Sequence, residues 1–340
     1  MELRARFAAA GQPPYRADQV ADWVYAKGAD AFSHMTNLPK PLRDWAARQW
    51  AIYTSVVARE SVSSDGTRKL LLTWPDRAAV ETVWIPEARR QTVCVSSQVG
   101  CPVGCAFCAS GLTGLERNLS AGEIVEQVLR ARGLLRQATA DPAARLTNVV
   151  FMGMGEPLAN YDAVLKAVQI INAPWGLCIG ARKITISTVG LPKQIRRLAD
   201  EDLQLNLALS LHAPEENLRR ELIPWAKAPL AEVLDACRHY FERTGREITL
   251  EYVLLAGVND RPIHARKLGL IARRLRANVN VLRYNPVAGL PFEPPNAEAV
   301  RDFQQRLREM AVNAHVRKSR GQDVNAACGQ LRRAGVSLES

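Results

Sequence analysis

The sequence lacks several features that would place the chain among exported, membrane or fibrous proteins. No stretch reaches the roughly 18 apolar residues that a membrane-spanning helix needs. The opening residues, MELRARF, lack the basic start and the apolar run of a signal peptide. No Gly/Ser-rich linker, low-complexity tract or internal repeat divides the chain. We therefore expect a cytoplasmic globular protein that does not associate with a membrane.

Charge and cysteine content narrow the class of protein further. Lys and Arg outnumber Asp and Glu by 45 to 34, which gives a formal net charge of +11. This excess favours a polyanionic partner, nucleic acid first, with a merely solubilising surface as the alternative. The seven cysteines are an odd number, and without an export signal they indicate metal or redox chemistry rather than a disulfide scaffold.

Strands and helices alternate over most of the chain. Residues up to about 55 have helical spacing, and an Asp65-Gly66 turn signal then indicates a β segment. The candidate strands after residue 91 are 92–96, 146–152, 183–188, 203–210, 247–255, 278–284 and 314–318. The candidate helices are 120–136, 160–172, 191–200, 229–243, 261–276 and 295–311. This order predicts an α/β fold with a parallel sheet, open or curled into a barrel, and with its chemistry at the carboxyl ends of the strands.

A compact cysteine loop, SQVGCPVGCAFC, follows the first of these strands. Cys101, Cys105 and Cys108 have the spacing C-x3-C-x2-C, and Gly100 and Gly104 permit the tight wrap that aims three thiolates at one centre. Structural zinc and ordinary cubane clusters take four protein ligands, so three cysteines leave one iron open for a substrate. The spacing is typical of the radical S-adenosylmethionine (SAM) superfamily. We predict a [4Fe-4S] cluster, with zinc or three unliganded thiols as alternatives.

Small polar residues follow several later strands. Gly155 and Glu156 come after 146–152 in GMGEP, and Ser187 ends the next strand. The run Ser210-Leu211-His212 ends the one after, and Asn285 follows 278–284 in RYNP. Because the carboxyl ends of parallel strands meet at one edge, these residues predict a single site beside the cysteine loop. Each of them alone is also compatible with an ordinary turn.

Four cysteines lie outside the loop. Cys328 stands in DVNAACGQL, beyond the last strand, in a segment of little apolar weight, and Cys94 lies in the first strand. Both are candidate functional residues. Cys178 and Cys237 lie in or beside apolar helical stretches, so we expect them to be packing thiols.

These motifs together resemble the RlmN/Cfr group of RNA adenine methyltransferases. The resemblance extends over nearly the whole chain and rests on the segments VCVSSQVGCPVGCAFC, VVFMGMGEPLAN, ITISTVG, LALSLHAP, EYVLLAGVND, RYNP and AACGQL. It implies a partial (βα)6 barrel (residues 91–335, ending in a catalytic cysteine segment), a helical RNA-binding domain at 1–55 and a β extension at 56–90. It also implies a monomer that acts on 23S rRNA and on some tRNAs and receives electrons from flavodoxin or ferredoxin.

The resemblance further implies a mechanism that uses two SAM molecules per turnover. One SAM methylates Cys328. A second, bound at the cluster by Gly155, Glu156, Ser187, Ser210, Leu211, His212 and Asn285, yields a deoxyadenosyl radical that takes hydrogen from this methyl group. The resulting radical adds to adenine, Glu81 accepts the ring proton, and attack by Cys94 on the Cys328 sulfur releases the methylated base and leaves a disulfide.

Two questions stay open at this stage. RlmN members methylate carbon 2 of adenine, whereas Cfr members methylate carbon 8 and confer antibiotic resistance. This chain mixes features of both, and its IPWAKAPL loop replaces the usual PIN sequence; we expect carbon 2. A non-enzymatic RNA-binding protein with a metal knuckle is the alternative from another class. Basic residues at 317, 318 and 320 would hold phosphates or simply form a solvated strand end.

Overall fold

The computed structural model describes residues 2–331, and its N-terminal part is a small helical layer. Helix α1 spans Glu2–Ala9, α2 spans Tyr15–Ala21 and continues as a wide π turn over Asp22–Lys27, and α3 spans Lys40–Gln49. Phe7 is fully buried here and contacts the rings of Trp45 and Trp50 at centroid distances of 5.6 and 5.5 Å. These aromatic contacts give the layer a core of its own.

Three antiparallel strands follow and lead into the main sheet. Strands β1 (Val56–Val62) and β2 (Arg68–Thr73) form the hairpin expected from the Asp65-Gly66 signal. Strand β3 (Ala79–Glu87) pairs with β2 and then, again antiparallel, with β4 (Arg90–Cys94). The segment 56–90 is therefore continuous with the sheet that carries the cysteine loop.

The remaining strands of the main sheet are parallel. They are β4, β7 (Asn148–Phe151), β8 (Ile184–Thr188), β9 (Asn206–Ser210), β10 (Thr249–Leu254), β11 (Asn278–Arg283) and β12 (Ala314–Arg317). Each is paired in parallel with the next, so that β1 to β4 and β7 to β12 form one ten-stranded sheet. The expected partial (βα)6 barrel is confirmed, and β-branched and Leu side chains fill its interior.

Helices connect the parallel strands and cover the sheet. They are α4 (Ala121–Thr139), α5 (Tyr161–Asn172), α6 (Pro192–Ala199), α7 (Glu216–Leu222), α8 (Leu230–Thr244), α9 (Pro262–Leu275) and α10 (Ala297–Glu309). Helix α4 begins with a capping box, in which Ser120 Oγ accepts from the Glu123 amide at 3.2 Å. The sequence did not predict α7 or the short hairpin of β5 (Gln98–Gly100) and β6 (Leu115–Asn118).

Helix α4 also holds the helical layer against the barrel. The buried Glu126 carboxylate accepts hydrogen bonds from the amides and hydroxyls of Thr54 and Ser55, at 2.5 to 2.9 Å. The buried Arg132 guanidinium donates to the backbone carbonyls of Val24 and Tyr25. Among the described residues, no helix has the length and apolar character needed to cross a membrane.

Candidate active site

A cavity that is open to solvent lies at the carboxyl ends of the parallel strands. Its walls come from the ends of β7 to β11, from the cysteine loop and from the segment around Cys328. The sequence-predicted residues that line it are Cys101, Cys105, Cys108, Gly155, Glu156, Ser187, Ser210, His212, Asn285 and Cys328. Leu211, Cys94 and Glu81 are buried and do not line it. The edge of the sheet expected to carry the chemistry is therefore where these side chains meet.

The cysteine loop is shaped by glycine at its first turn. Gly100 has a φ of +74°, and a Cβ at this position would lie 1.9 Å from the carbonyl oxygen of Gly114. The same oxygen accepts a hydrogen bond from the Cys101 amide at 2.9 Å. Gly104 also has a positive φ, +62°. The predicted wrap of the backbone is thus present, and it needs glycine at Gly100 for both conformation and space.

The three loop cysteines have the donor set and surroundings that an iron–sulfur cluster requires. They lie against an apolar cluster that includes Val103, Phe107 and Leu222. Burial raises the pKa of Cys101 to about 12, and burial together with the neighbouring thiolate charges raises the pKa of Cys105. No three His, Cys, Asp or Glu side chains of the described residues are grouped to hold a single metal ion. All three cysteines line the same cavity, which is what a cluster held by three thiolates needs.

Glu156 holds two strand ends together at the cavity wall. Its carboxylate accepts hydrogen bonds from the amides of Val189, at 2.9 Å, and Leu158, at 3.0 Å. Burial raises the pKa of Glu156 to about 7, although these hydrogen bonds act in the opposite direction. Gly155 has a φ of +99°, and a Cβ there would lie 2.6 Å from Cβ of Gln98. A glycine is therefore required beside this carboxylate.

Serine and histidine side chains form the next part of the wall. The hydroxyls of Ser187 and Ser210 lie 3.2 Å apart, at the ends of β8 and β9. His212 has a φ of +54°, and its Nδ1 accepts a hydrogen bond from the Val253 amide at 3.1 Å. Burial, with help from the charge of Arg219, lowers the pKa of His212 to about 3, so the ring is neutral. Leu211 is fully buried in the core.

The segment that carries Cys328 forms part of the cavity wall. Asn285 donates from its side-chain amide to the Cys328 carbonyl at 3.1 Å and accepts from Gln322 at 2.7 Å. The Ala109 amide, next to the cysteine loop, donates to the Gly329 carbonyl at 2.8 Å. Cys328 is accessible through the cavity mouth, while the protein around it and the Glu251 charge raise the pKa of its thiol to about 11.

Cys94 and Glu81 lie in the adjoining core. Cys94 ends β4 and is buried, and burial, followed by the nearby Cys328 charge, raises the pKa of its thiol. Glu81 is 1% exposed and forms a buried ion pair with Lys69, with 2.7 Å between Oε1 and Nζ. Both residues thus lie on the side of the barrel that faces the Cys328 segment rather than the open cavity.

The sequence did not indicate one carboxylate of the cavity, and one expectation was wrong. Glu251 lines the cavity from β10, accepts a hydrogen bond from Asn280 at 2.8 Å, and has a pKa raised by burial to about 7. A carboxylate within the apolar run TLEYVLL was the available signal. Cys237 is fully buried as expected, but Cys178 is exposed, because α5 has already ended at Asn172.

The IPWAKAPL loop borders the site. The Ala106 amide, within the cysteine loop, donates to the Leu222 carbonyl at 3.0 Å, just before this loop begins. Ile223, Trp225 and Ala226 belong to the apolar cluster that contacts the three cysteines. The IPWAKAPL segment, which replaces the usual PIN sequence, therefore packs around the position expected for the cluster.

Comparison with known proteins identifies the family. Residues 1–52 match the ribosomal RNA large subunit methyltransferase N-terminal domain, and residues 95–267 match the radical SAM superfamily. The chain is 48% identical to the probable dual-specificity RNA methyltransferase RlmN of Gloeobacter violaceus, over 100% of this chain and 95% of that protein. A similarly described protein of Thermus thermophilus is 47% identical over 93% of this chain and 88% of its own length.

A solved structure agrees with this result. The crystal structure of a radical SAM methyltransferase from Sphaerobacter thermophilus has a TM-score of 0.94 and 46% identity, over 97% of this chain and 96% of that one. The alternative of a non-enzymatic metal-knuckle protein is therefore wrong. The chain belongs to the RlmN family of radical SAM RNA methyltransferases.

Proposed function

We propose that the enzyme methylates carbon 2 of an adenine in 23S rRNA, and the adenine next to the anticodon in some tRNAs, with Cys328 as the methyl carrier. The observation that carries this proposal is the position of Cys328, which lines the same cavity as the three loop cysteines. Similarity over the full chain to proteins described as dual-specificity RNA methyltransferases supports the choice of substrates.

Radical SAM membership implies SAM and a [4Fe-4S] cluster. Cys101, Cys105 and Cys108 would hold the cluster, which with SAM supplies a carbon radical able to abstract hydrogen. The residues that would bind SAM are Gly155, Glu156, Ser187, Ser210, Leu211, His212 and Asn285. All of these except Leu211 line the cavity, while the buried Leu211 would contribute only backbone groups. One SAM molecule would bind at this site and a second would donate the methyl group, so that each turnover would use two.

Three residues would act on the methyl group and the base. The Cys328 thiol would lose its proton and take a methyl group from SAM, leaving S-adenosylhomocysteine. Cys328 would then hold the carbon from which hydrogen is removed. Hydrogen removal would leave a carbon radical that bonds to adenine; the adduct would then return one electron to the oxidised electron donor, and Glu81 would accept the ring proton. The Cys94 thiol would lose its proton as its sulfur bonds to the Cys328 sulfur. The carbon–sulfur bond would break with its electron pair going to carbon, and that carbon would take up a proton as the methylated base leaves. Two electrons, from a donor such as flavodoxin or ferredoxin, reduce the disulfide.

The RNA would approach over the basic surface near the cavity mouth. Arg317 and Lys318 are exposed at the end of β12, and the charge of Arg317 reaches Glu251 inside the cavity. A base paired within a duplex cannot enter such a cavity, so the target adenine must be unpaired or flipped. The helical layer, here residues 1–55, would supply further RNA contacts, and we propose that the enzyme works as a monomer.

Mass spectrometry of RNA tests this proposal. A strain lacking its own adenine methyltransferase, expressing this chain, should accumulate 2-methyladenosine in 23S rRNA and tRNA. Cys328→Ala should abolish the product, because the variant has no carrier sulfur. Cys178→Ser is the matched control, since this thiol is exposed and outside the cavity, and should leave the yield unchanged. The appearance of 8-methyladenosine, or product formation by Cys328→Ala, would contradict the proposal.

A further inference from the structure

The turn of the β1–β2 hairpin is bonded directly to the segment that carries Cys328. Asp323 accepts hydrogen bonds from the Ser63 hydroxyl, at 2.5 Å, and from the Ser64 amide, at 2.9 Å. The Gly321 amide donates to Asp65 Oδ2 at 3.1 Å. These partners are more than 250 positions apart in the chain. The hairpin therefore holds the start of the segment at two points.

Lys69 provides a third and deeper contact. Its ammonium group lies 2.7 Å from Glu81 Oε1 and donates to the Asn325 carbonyl at 2.9 Å. The side chains of Lys69 and Glu81 are only 7% and 2% exposed. A buried ammonium group needs several oxygen partners to offset its lost hydration. Lys69 thus joins the carboxylate proposed as proton acceptor to the backbone three residues before Cys328.

Close packing leaves this end of the segment little freedom. Gly321 has a φ of +66°, and a Cβ there would lie 2.7 Å from Cβ of Ala326 and 3.0 Å from Cγ2 of Thr67. The segment itself has little regular structure, with a single 3₁₀ turn over Gln322–Val324. Its position therefore depends on partners outside it, among them Asn285 and Ala109 on the barrel side and the hairpin on the other side.

We propose that Lys69, together with the hairpin turn at 63–67, is the positioning element for Cys328, which fixes where its sulfur lies relative to the cavity and to Glu81. The inference rests on the proposed function, in which Cys328 carries the methyl group. A carrier that is displaced by even about 1 Å loses the geometry of its reaction with the radical source and the base. Loss of Lys69 should accordingly uncouple SAM cleavage from RNA methylation rather than stop both.

The first experiment measures the segment itself. Amide hydrogen exchange of the cluster-loaded enzyme is followed on peptides covering 321–330, with Pro262–Leu275 as an internal reference. Lys69→Met should speed exchange in the segment by about tenfold, because a charge-assisted hydrogen bond is lost. Asp323→Ala is the second variant; it leaves no buried charge and should act in the same direction even if Lys69→Met folds poorly. Lys166→Met removes an exposed ion pair and should change nothing.

The second experiment measures coupling as the ratio of methylated adenosine to deoxyadenosine formed. Lys69→Met and Asp323→Ala should lower this ratio severalfold while deoxyadenosine formation continues, and Lys69→Arg, which keeps the charge, should restore most of it. Wild-type exchange in both variants would overturn the inference, as would fast exchange with an unchanged ratio. If Cys328→Ala still methylates RNA, the proposed function is wrong. The hydrogen-exchange result would still show whether Lys69 and the hairpin hold the segment in place.

Discussion

Replacement of Gly100 by alanine tests whether the backbone of the cysteine loop, and not only its thiols, is needed for the cluster. Gly100 has a φ of +74°, a conformation that costs an alanine about 1–2 kcal/mol. The new Cβ would also lie 1.9 Å from the Gly114 carbonyl oxygen, which is backbone and cannot rotate away. The hydrogen bond from the Cys101 amide to that oxygen must then break, at a further cost of about 1 kcal/mol.

These costs add to about 2–3 kcal/mol. In thermal unfolding, the melting temperature of Gly100→Ala should therefore fall by roughly 5 °C. Since Cys101 is the next residue, its thiol should move away from the other two. We expect anaerobically purified Gly100→Ala to hold less than half of the wild-type iron per chain, with a proportional loss of deoxyadenosine formation.

Gly104→Ala is the matched control for this prediction. Gly104 lies in the same loop with a φ of +62°, but no atom lies within 4 Å of the Cβ that it would gain. It should lose only about 1–2 kcal/mol from the backbone conformation, without the broken hydrogen bond, and retain most of its iron. If the two variants are equally stable and equally loaded with iron, the clash with Gly114 does not shape the loop and the reasoning is refuted.

Two further predictions concern buried groups. The pKa of Glu251 is raised to about 7, so its contribution to stability is present below about pH 4.5 and is lost as the pH rises through 7. Urea unfolding at pH 5 and pH 8 measures this dependence. The difference in unfolding free energy between the two pH values should be smaller in Glu251→Gln than in the wild type, by up to about 3 kcal/mol. An equal difference in both proteins would contradict the prediction. Cys237→Ser should lower the unfolding free energy by about 1–2 kcal/mol, because a hydroxyl replaces a fully buried thiol. Cys178→Ser, at an exposed thiol, should change it by less than about 0.5 kcal/mol; equal losses would refute the comparison.

The regular part of the fold could be predicted because its pattern is local. Helix α5 was expected over 160–172 and spans Tyr161–Asn172, and β11 was expected over 278–284 and spans Asn278–Arg283. Apolar spacing and the capping box at Ser120 decide such elements within a few residues of chain. The short hairpin of β5 and β6 has no such pattern, since its strands are three and four residues long and frame the cysteine loop.

The sequence predicted those residues of the candidate site that belong to a motif. It did not predict those that only the packing of distant segments brings to the site. The spacing and position of the loop cysteines and the strand-end residues predicted them, and nine of these residues line one cavity together with Cys328. The sequence did not indicate Glu251, because a single carboxylate in an apolar strand belongs to no sequence motif. The bond between Lys69 and the Asn325 carbonyl joins residues 256 positions apart. No local pattern encodes such a partner, because it is set by the way the sheet folds around the cavity.

Because the sheet is continuous from the N-terminal strands into the barrel, a fragment without those strands would have an exposed strand edge. Strand β4, which leads to the cysteine loop, has β3 on one side and β7 on the other. A fragment that started at residue 91 would leave the amide and carbonyl groups of β4 without the partners that β3 provides. Such an exposed edge favours pairing with other chains. The N-terminal strands therefore act as the edge protection of the barrel, and an isolated catalytic core should aggregate unless they are retained.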